Sequence, residues 1–412
     1  MVVRMAIQMA QRNILQTLLV AGLTLSASHA FADNSVTIYG VADSAIVYQN
    51  NQSTLGSNSG GRSSIKESSG LWAGSRLGFK GTEDIGGGTK AIFQLEMGYS
   101  LDTGGAQYAG VMFGRQAFVG LTDPTYGSLT IGRQYTAYYL QLAPYSPTTW
   151  LTGFFGAHPG DLDGLDTVLR SNNTLLYTSP IVSHFTAAGS YSLGEVAGSI
   201  NRGATWSLAL QYKNGPFGVT GAIQRVNNST PGGGAWGADS STNSAGQPLV
   251  SAVTNGYQTD AAQQRVTLGG GYNFTPALDI SVVGSNVQYI PGANSKFTGT
   301  AIFNTVGSVL HYRINAPWDL AIGYSYTRAT KANGIQDAAY YHQITMSEYY
   351  NLSKRTGIYA LQGYQQAGGK TLGTNGAGNI INATATIGDG FQSTPSSSNR
   401  QLAIGLGIVH RF

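Results

Sequence analysis

Charged side chains are scarce in this sequence, and the few that recur in alternation or beside glycines are the ones able to act on a solute. Lys and Arg number 23 and Asp and Glu 19 in 412 residues, 10 % charged in all, against about 25 % in an ordinary soluble domain. Arg76 and Lys80 alternate with Leu77 and Phe79, which puts the two cations on one face of a strand and the apolar pair on the other. Arg133 follows Ile131 and Gly132, and Arg170 stands near the end of a long segment, 134–172. Within that segment lie Asp161, Asp163 and Asp166, with Gly160 and Gly164 to let the backbone bend. Arginines facing carboxylates across a narrow aqueous passage create a transverse field that orders water and sorts solutes by charge and dipole. Arginine suits this task because its guanidinium stays charged at any relevant pH. The competing reading of each cation is a ladder-end or surface charge.

Segment 134–172 is too long for a casual connection, so it is either functional or disordered. Its content of Tyr135, Tyr138, Tyr139, Trp150, Phe154, Phe155, Leu162 and Leu165 argues against disorder. A loop that is apolar on one side and acidic on the other can pack against a wall and project Asp161, Asp163 and Asp166 into a lumen. The bland alternative is a solvated acidic surface loop.

Enzyme chemistry finds little support. The six histidines show neither an HExxH pattern nor a paired metal spacing, and there is no cysteine for a disulfide or a thiolate site. No GxSxG elbow occurs. The run Gly86-Gly-Gly-Thr-Lys90 lacks the phosphate-loop spacing, and a hairpin turn explains its glycines better. No catalytic residue, metal, cofactor or nucleic-acid partner is expected. A barrel-embedded hydrolase, with catalytic residues far apart in sequence, is the remaining enzyme alternative.

The elements that must position these residues are strands. The chain ends in an alternation, with Leu402, Ile404, Leu406, Ile408, His410 and Phe412 on one face and Ala403, Gly405, Gly407 and Arg411 on the other. A strand that is greasy outside and small or polar inside is what a barrel needs when its outer solvent is lipid. The same period recurs at 205–213, 265–274 and 320–327. Tight turns near 83–88, 123–127, 214–216, 275–277, 316–318 and 353–355 alternate with long polar loops, the asymmetry of an outer-membrane barrel. The segments predict about 16 strands, an even number that puts both chain termini on the short-turn side and leaves a water-filled lumen. The second of these is placed at 71–82. No stretch after residue 32 is long and apolar enough for a membrane helix, so any crossing must be made by strands. Aromatic residues near segment ends, such as Tyr39, Tyr99, Tyr212, Phe217, Tyr272, Tyr349 and Tyr350, read as girdles at the two interfaces.

The other end of the chain gives the compartment. Residues 1–32 carry Arg4 and Arg12, an apolar core at 14–25, and Ala30-Phe-Ala32, the three parts of a secretory signal peptide cleaved after Ala32, with Ala30 as the alternative site. The apolar core is too short to cross roughly 30 Å of hydrocarbon. The domain reading is therefore a leader at 1–32 and an all-β transmembrane barrel at 33–412. Without Arg4 and Arg12 the 23 basic residues fall to 21 against 19 acidic, a net charge near +2 that is too small to predict ion preference, which depends on the local balance at the waist.

Several blocks resemble the trimeric general porins of Gram-negative outer membranes, in particular the betaproteobacterial type. They are Ser35-Val-Thr-Ile-Tyr-Gly-Val-Ala-Asp43, Gly74-Ser-Arg-Leu-Gly-Phe-Lys-Gly-Thr-Glu-Asp-Ile-Gly-Gly-Gly-Thr-Lys-Ala-Ile-Phe-Gln-Leu-Glu96, Arg115-Gln-Ala-Phe-Val-Gly-Leu121, Ile131-Gly-Arg-Gln134, Tyr350-Asn-Leu-Ser-Lys-Arg-Thr356 and the terminal His410-Arg-Phe412. The resemblance implies passive diffusion of small hydrophilic solutes and ions through a water-filled channel. It implies a constriction with Arg76, Arg133 and Arg170 on its basic side, where alternation also places Lys80, and acidic residues of the inward-folded third loop opposite. It also implies a homotrimer in contact with outer-membrane lipid and lipopolysaccharide, and recognition of Phe412 by the outer-membrane assembly machinery. The chain departs from the enterobacterial acidic run, offering Pro159-Gly-Asp161-Leu-Asp163 instead, and has no lysine at 39–41 in its first strand. A substrate-specific channel, with Trp150 or Tyr138 at the waist, is the alternative.

Overall fold

The computed structural model describes residues 35–166, 169–242, 250–389 and 395–412. The wall begins with β1 (Ser35–Gln52), β2 (Arg62–Ser69), β3 (Arg76–Gly86), β4 (Thr89–Gly98), β5 (Gln116–Asp123) and β6 (Gly127–Gln134). It continues with β7 (Ser171–Thr178), β8 (Phe185–Ser192), β9 (Thr205–Asn214), β10 (Phe217–Asn227), β11 (Ala262–Thr275) and β12 (Leu278–Ile290). Then come β13 (Ala301–Asn315), β14 (Trp318–Ala329), β15 (Tyr340–Asn351) and β16 (Thr356–Gly368). A small hairpin, β17 (Lys370–Leu372) and β18 (Ile380–Asn382), precedes the closing strand β19 (Arg400–Arg411).

Each wall strand pairs antiparallel with its neighbours, and β19 pairs with β1 to close the sheet. β1 meets β3 through residues 35–41 and β2 through residues 44–52. β2 and β3 are therefore two pieces of one wall strand, and the closed barrel has 16 positions. The strand expected at 71–82 thus starts nine residues earlier and is broken in the middle. At the seam, Phe412 and Gly40 exchange backbone hydrogen bonds of 3.0 and 3.1 Å. The Phe412 ring lies over Gly40, where a Cβ would come within 2.3 Å of it.

Alternation explains the wall. In β19, Ile404, Leu406 and Ile408 face outward and are exposed, while Ala403 and Val409 face inward and are buried. Rings at the short-turn end pair along the outer surface, Phe185 with Tyr212, Tyr272 with Phe274 and Trp318 with Tyr350. Tyr39, Tyr99 and Tyr349 do not belong to that girdle. Strand position turns Tyr39 and Tyr349 inward, where Tyr39 donates to Glu96 and Tyr349 packs on Trp72, while Tyr99, just past the end of β4, donates to the Val41 carbonyl. Nearness to a strand end cannot tell the two faces apart; only the register can.

Loop 135–170 lies along the inside of this wall. Its outbound limb runs as helix Ala137–Leu142 beside β8, β9 and β10, then Thr148–Leu151 beside β14 and β15, then Gly153–Gly156 beside β16. Inward-facing glycines of the wall make its bed. A Cβ at Gly269 would stand 3.1 Å from Leu142, at Gly323 2.3 Å from Leu151, at Gly307 2.2 Å from His158, and at Gly363 3.0 Å from Phe155. Polar wall residues satisfy the loop's carbonyls. Thr220 donates to the carbonyl of Gln141, Ser347 to that of Trp150, and Gln343 to those of Phe155 and Ala157. Phe154, Phe155, Leu162 and Leu165 are fully buried, each contributing roughly 1.5–3 kcal/mol by leaving water.

Candidate functional site

The site begins where the wall is interrupted. Between β2 and β3, residues 70–75 leave the sheet. Gly70 makes the exit with φ of 73°, a conformation that costs other residues and not glycine. The N–H groups of Trp72 and Ala73 both donate to Asp43 Oδ2 at 2.6 Å, and the Tyr359 hydroxyl donates to Oδ1 at 2.5 Å. A carboxylate on β1 thus replaces the ladder bonds that the break removes. Facing this segment is loop 135–170, whose Asp166 carboxylate lies against Gly153. Between them is a polar cavity of about 170 Å³, with Arg76, Tyr99, Tyr108, Arg115, Asp166 and Asp389 in its lining.

The basic side has two layers. At the cavity, Arg115 Nε lies 2.7 Å from Glu96 Oε1, and Arg76 Nε lies 4.0 Å from Glu96 Oε2. The Tyr39 hydroxyl donates to the same carboxylate at 2.8 Å. Behind Tyr108, Arg133 donates to the Gly114 carbonyl at 2.8 Å and to Asn172 at 2.5 Å. Arg170 donates to the hydroxyls of Tyr108 and Tyr135 at 2.9 and 2.5 Å, with its guanidinium 4.6 Å from the Tyr135 ring centre. Tyrosine faces and hydroxyls hold these buried cations by cation–π attraction and hydrogen bonding. Lys80 sits toward the short turns, exposed, its ammonium 5.3 Å from the Tyr39 ring centre.

The three loop aspartates have separate surroundings. Asp166 is the one on the cavity with Arg76 and Arg115. Asp163 points instead to the wall, 2.6 Å from His158 Nδ1 and accepting from Ser285 of β12 at 3.0 Å. Burial alone would raise its pKa, but His158 and the two hydrogen bonds outweigh that and hold it below the usual carboxylate range. Asp161 accepts from the Asp166 N–H at 3.1 Å. Burial, with Asp163 adding to it, holds the Asp161 carboxyl well above its usual range. Asp161 and Asp163 lie away from Arg76 and Arg115, on a stretch of the returning limb that Arg265 of β11 holds by donating to the Leu162 carbonyl at 3.0 Å. Tyr138 ties both limbs together, donating to the Asp163 carbonyl at 2.8 Å and meeting the Thr267 hydroxyl at 2.6 Å.

Asp163, His158 and Ser285 bring together the residue types of a hydrolytic triad, but in the wrong order. Ser285 bonds the aspartate rather than the imidazole, His158 Nε2 faces the backbone at Gly307, and all three are buried.

Arg115, Glu96, Tyr108, Asp389 and Trp72 escape the sequence-level selection of site residues. Glu96 was within reach, since Gln94 and Glu96 alternate against Phe93, Leu95 and Met97. Arg115 and Tyr108 lie outside the wall strands, and Asp389 in a distant loop, where periodicity carries no signal.

A family model for Gram-negative porins matches residues 17–371. The chain belongs to this family. Among curated porins it is 30% identical to an outer membrane porin of Bordetella pertussis over 286 residues, 64% of this chain and 66% of that one. It is 28% identical to outer membrane porin protein 32 of Delftia acidovorans over 96% of this chain and 99% of that one. Among solved structures, the anion-selective porin from Comamonas acidovorans superposes with a TM-score of 0.65 at 22% identity, over 92% of this chain and all of that one. OmpT of Vibrio cholerae in a trimer form gives 0.60 at 16% identity, over 92% of this chain and 99% of that one. This porin is therefore an outer-membrane protein whose strands cross the bilayer. The leader expected at 1–32 and the cleavage after Ala32 lie outside the described residues.

Proposed function

We propose that this porin passes small hydrophilic solutes and ions passively, with selectivity set where Arg76 and Arg115 face Asp166. The observation that carries this is the polar cavity itself, held between a broken wall strand and an inward loop. Arg76, Arg115, Arg133 and Arg170 cluster around Tyr108 and Tyr135, while Glu96, Asp166 and Asp389 supply fewer opposing charges. That local excess favours anions, although the whole chain carries a formal +4. The fold shared with an anion-selective porin supports the same direction.

The working unit is a homotrimer, supported by the shared fold of a porin solved as a trimer and by the exposed apolar residues Val36, Ile38 and Ile46 on β1. Lipid and lipopolysaccharide cover the remaining outer face. Phe412, at the seam with Gly40, serves as the assembly signal. Purified protein in a planar bilayer tests the reading. Stepwise conductance in triplets is expected, with an anion-signed reversal potential in a salt gradient. A folded trimer that passes no current would overturn it.

A further inference from the structure

At the short-turn mouth a second and larger opening, of about 620 Å³, shares Trp72 with the cavity. Its composition differs from that of the waist. Trp72 packs against Tyr349 at 4.6 Å between ring centres, and Arg411 donates to the Tyr349 hydroxyl at 3.1 Å. Across from them, Trp150 of the inward loop stacks on His311 at 3.4 Å and 7°. His311 is itself fixed between Asp279 and Asp319 at 2.6 and 3.1 Å. Arg313 bonds Asp319 at 2.8 Å, while Lys354 enters from the turn between β15 and β16. Three cations thus ring the opening with one acid, which is already engaged.

We propose that this mouth is a binding site for small planar carboxylates, formed by Trp72, Trp150 and Tyr349 together with Arg313, Lys354 and Arg411. The proposal rests on the pore reading above. Partly exposed indoles in a water-filled mouth gain from contact with a flat apolar body. Guanidinium groups beside them match a carboxylate in geometry as well as charge. An aliphatic anion satisfies only the cations and a neutral ring only the indoles, so an aromatic acid is the class that uses both. The opening is of the size that holds a small organic molecule. Trp150 also belongs to the loop that forms the waist, so a bound acid narrows the path of the current.

The test uses the full porin in a planar bilayer, with benzoate, cyclohexanecarboxylate and acetate added to each side in turn at equal ionic strength. Benzoate should interrupt the current at about tenfold lower concentration than acetate, and more strongly from the short-turn side. Trp72→Leu and Trp150→Leu should each raise the benzoate concentration required toward that of acetate. Lys354→Gln, in an exposed turn where folding is not at stake, should weaken the block about threefold. A conducting channel on which benzoate acts no differently from acetate overturns the site alone, as does a benzoate block indifferent to these substitutions. A folded trimer without conductance in potassium chloride overturns the pore reading and this site with it.

Discussion

Arg115 and Glu96 neutralise each other at the waist, the guanidinium Nε standing 2.7 Å from the carboxylate with both side chains buried. Arg76 stands farther from the same carboxylate, at 4.0 Å, and keeps a quarter of its side chain exposed. The two arginines therefore differ in what they do. Arg115 holds Glu96 in place, whereas under the function proposed above Arg76 presents its charge to the passage.

Replacing each should separate those roles. Arg76→Gln should lower the anion-to-cation permeability ratio by about thirtyfold, since a unit charge about 4 Å away is worth about 1 kcal/mol to an anion and costs a cation as much. The reversal potential in a potassium chloride gradient reads this shift, and an unchanged potential removes Arg76 from the field. Arg115→Gln should instead destabilise the barrel by about 3 kcal/mol, because Glu96 loses its nearest buried cation and keeps only the Tyr39 hydroxyl and the more distant Arg76. Urea or heat titration of the folded protein measures it.

The glycine bed of the inward loop makes a second prediction. Gly307→Val would drive a side chain into the space that His158 occupies, where even a Cβ would stand 2.2 Å from Nε2. Overpacking of this kind costs about 1–3 kcal/mol. The loop should lift from β13, and single-channel current should become noisier and larger. A quiet, unchanged conductance would show that the loop does not rest on the wall there.

A pH dependence follows from Asp260, in the loop before β11. Burial pushes its carboxyl up to about 7, against hydrogen bonding from the Trp236 indole at 3.2 Å. In the opened loop the carboxyl returns to the usual value near 4. The packed loop thus holds the proton more tightly, so its stability is greatest below pH of about 4 and falls as pH rises to about 7. Hydrogen exchange at 250–261, corrected for its intrinsic rate, should show more opening at pH 8 than at pH 5. Asp260→Asn should flatten that difference.

Phe412→Ala separates assembly from stability. The backbone bonds between residues 40 and 412 survive this substitution, so the purified chain should refold in detergent with a melting temperature within a few degrees of the parent. Insertion into the outer membrane of cells should fall several-fold. Equal insertion of the two chains would reduce Phe412 to a packing residue over Gly40.

The barrel was legible from residue types alone because a wall between lipid and water imposes a period of two on every strand. The final alternation from Leu402 to Phe412, the turn glycines at 86–88 and the aromatic content of loop 135–170 are local properties of this kind. Arg76 was legible for the same reason, as a charge alternating with Leu77 and Phe79. Local periodicity has no access to what lies across the lumen. The break at 70–75 depends on Asp43, 29 residues from Trp72 in sequence. Asp161, Asp163 and Asp166 look equivalent in sequence, yet only the path of the returning limb puts Asp166 on the cavity and Asp163 on Ser285. The meeting of Asp389 with Arg76 and Arg115 depends on closing β19 against β1. The sequence by itself determined which face of each strand meets lipid, since that is decided two residues at a time. Which charges confront one another was decided by the tertiary structure, because register and closure bring together groups that no local pattern relates.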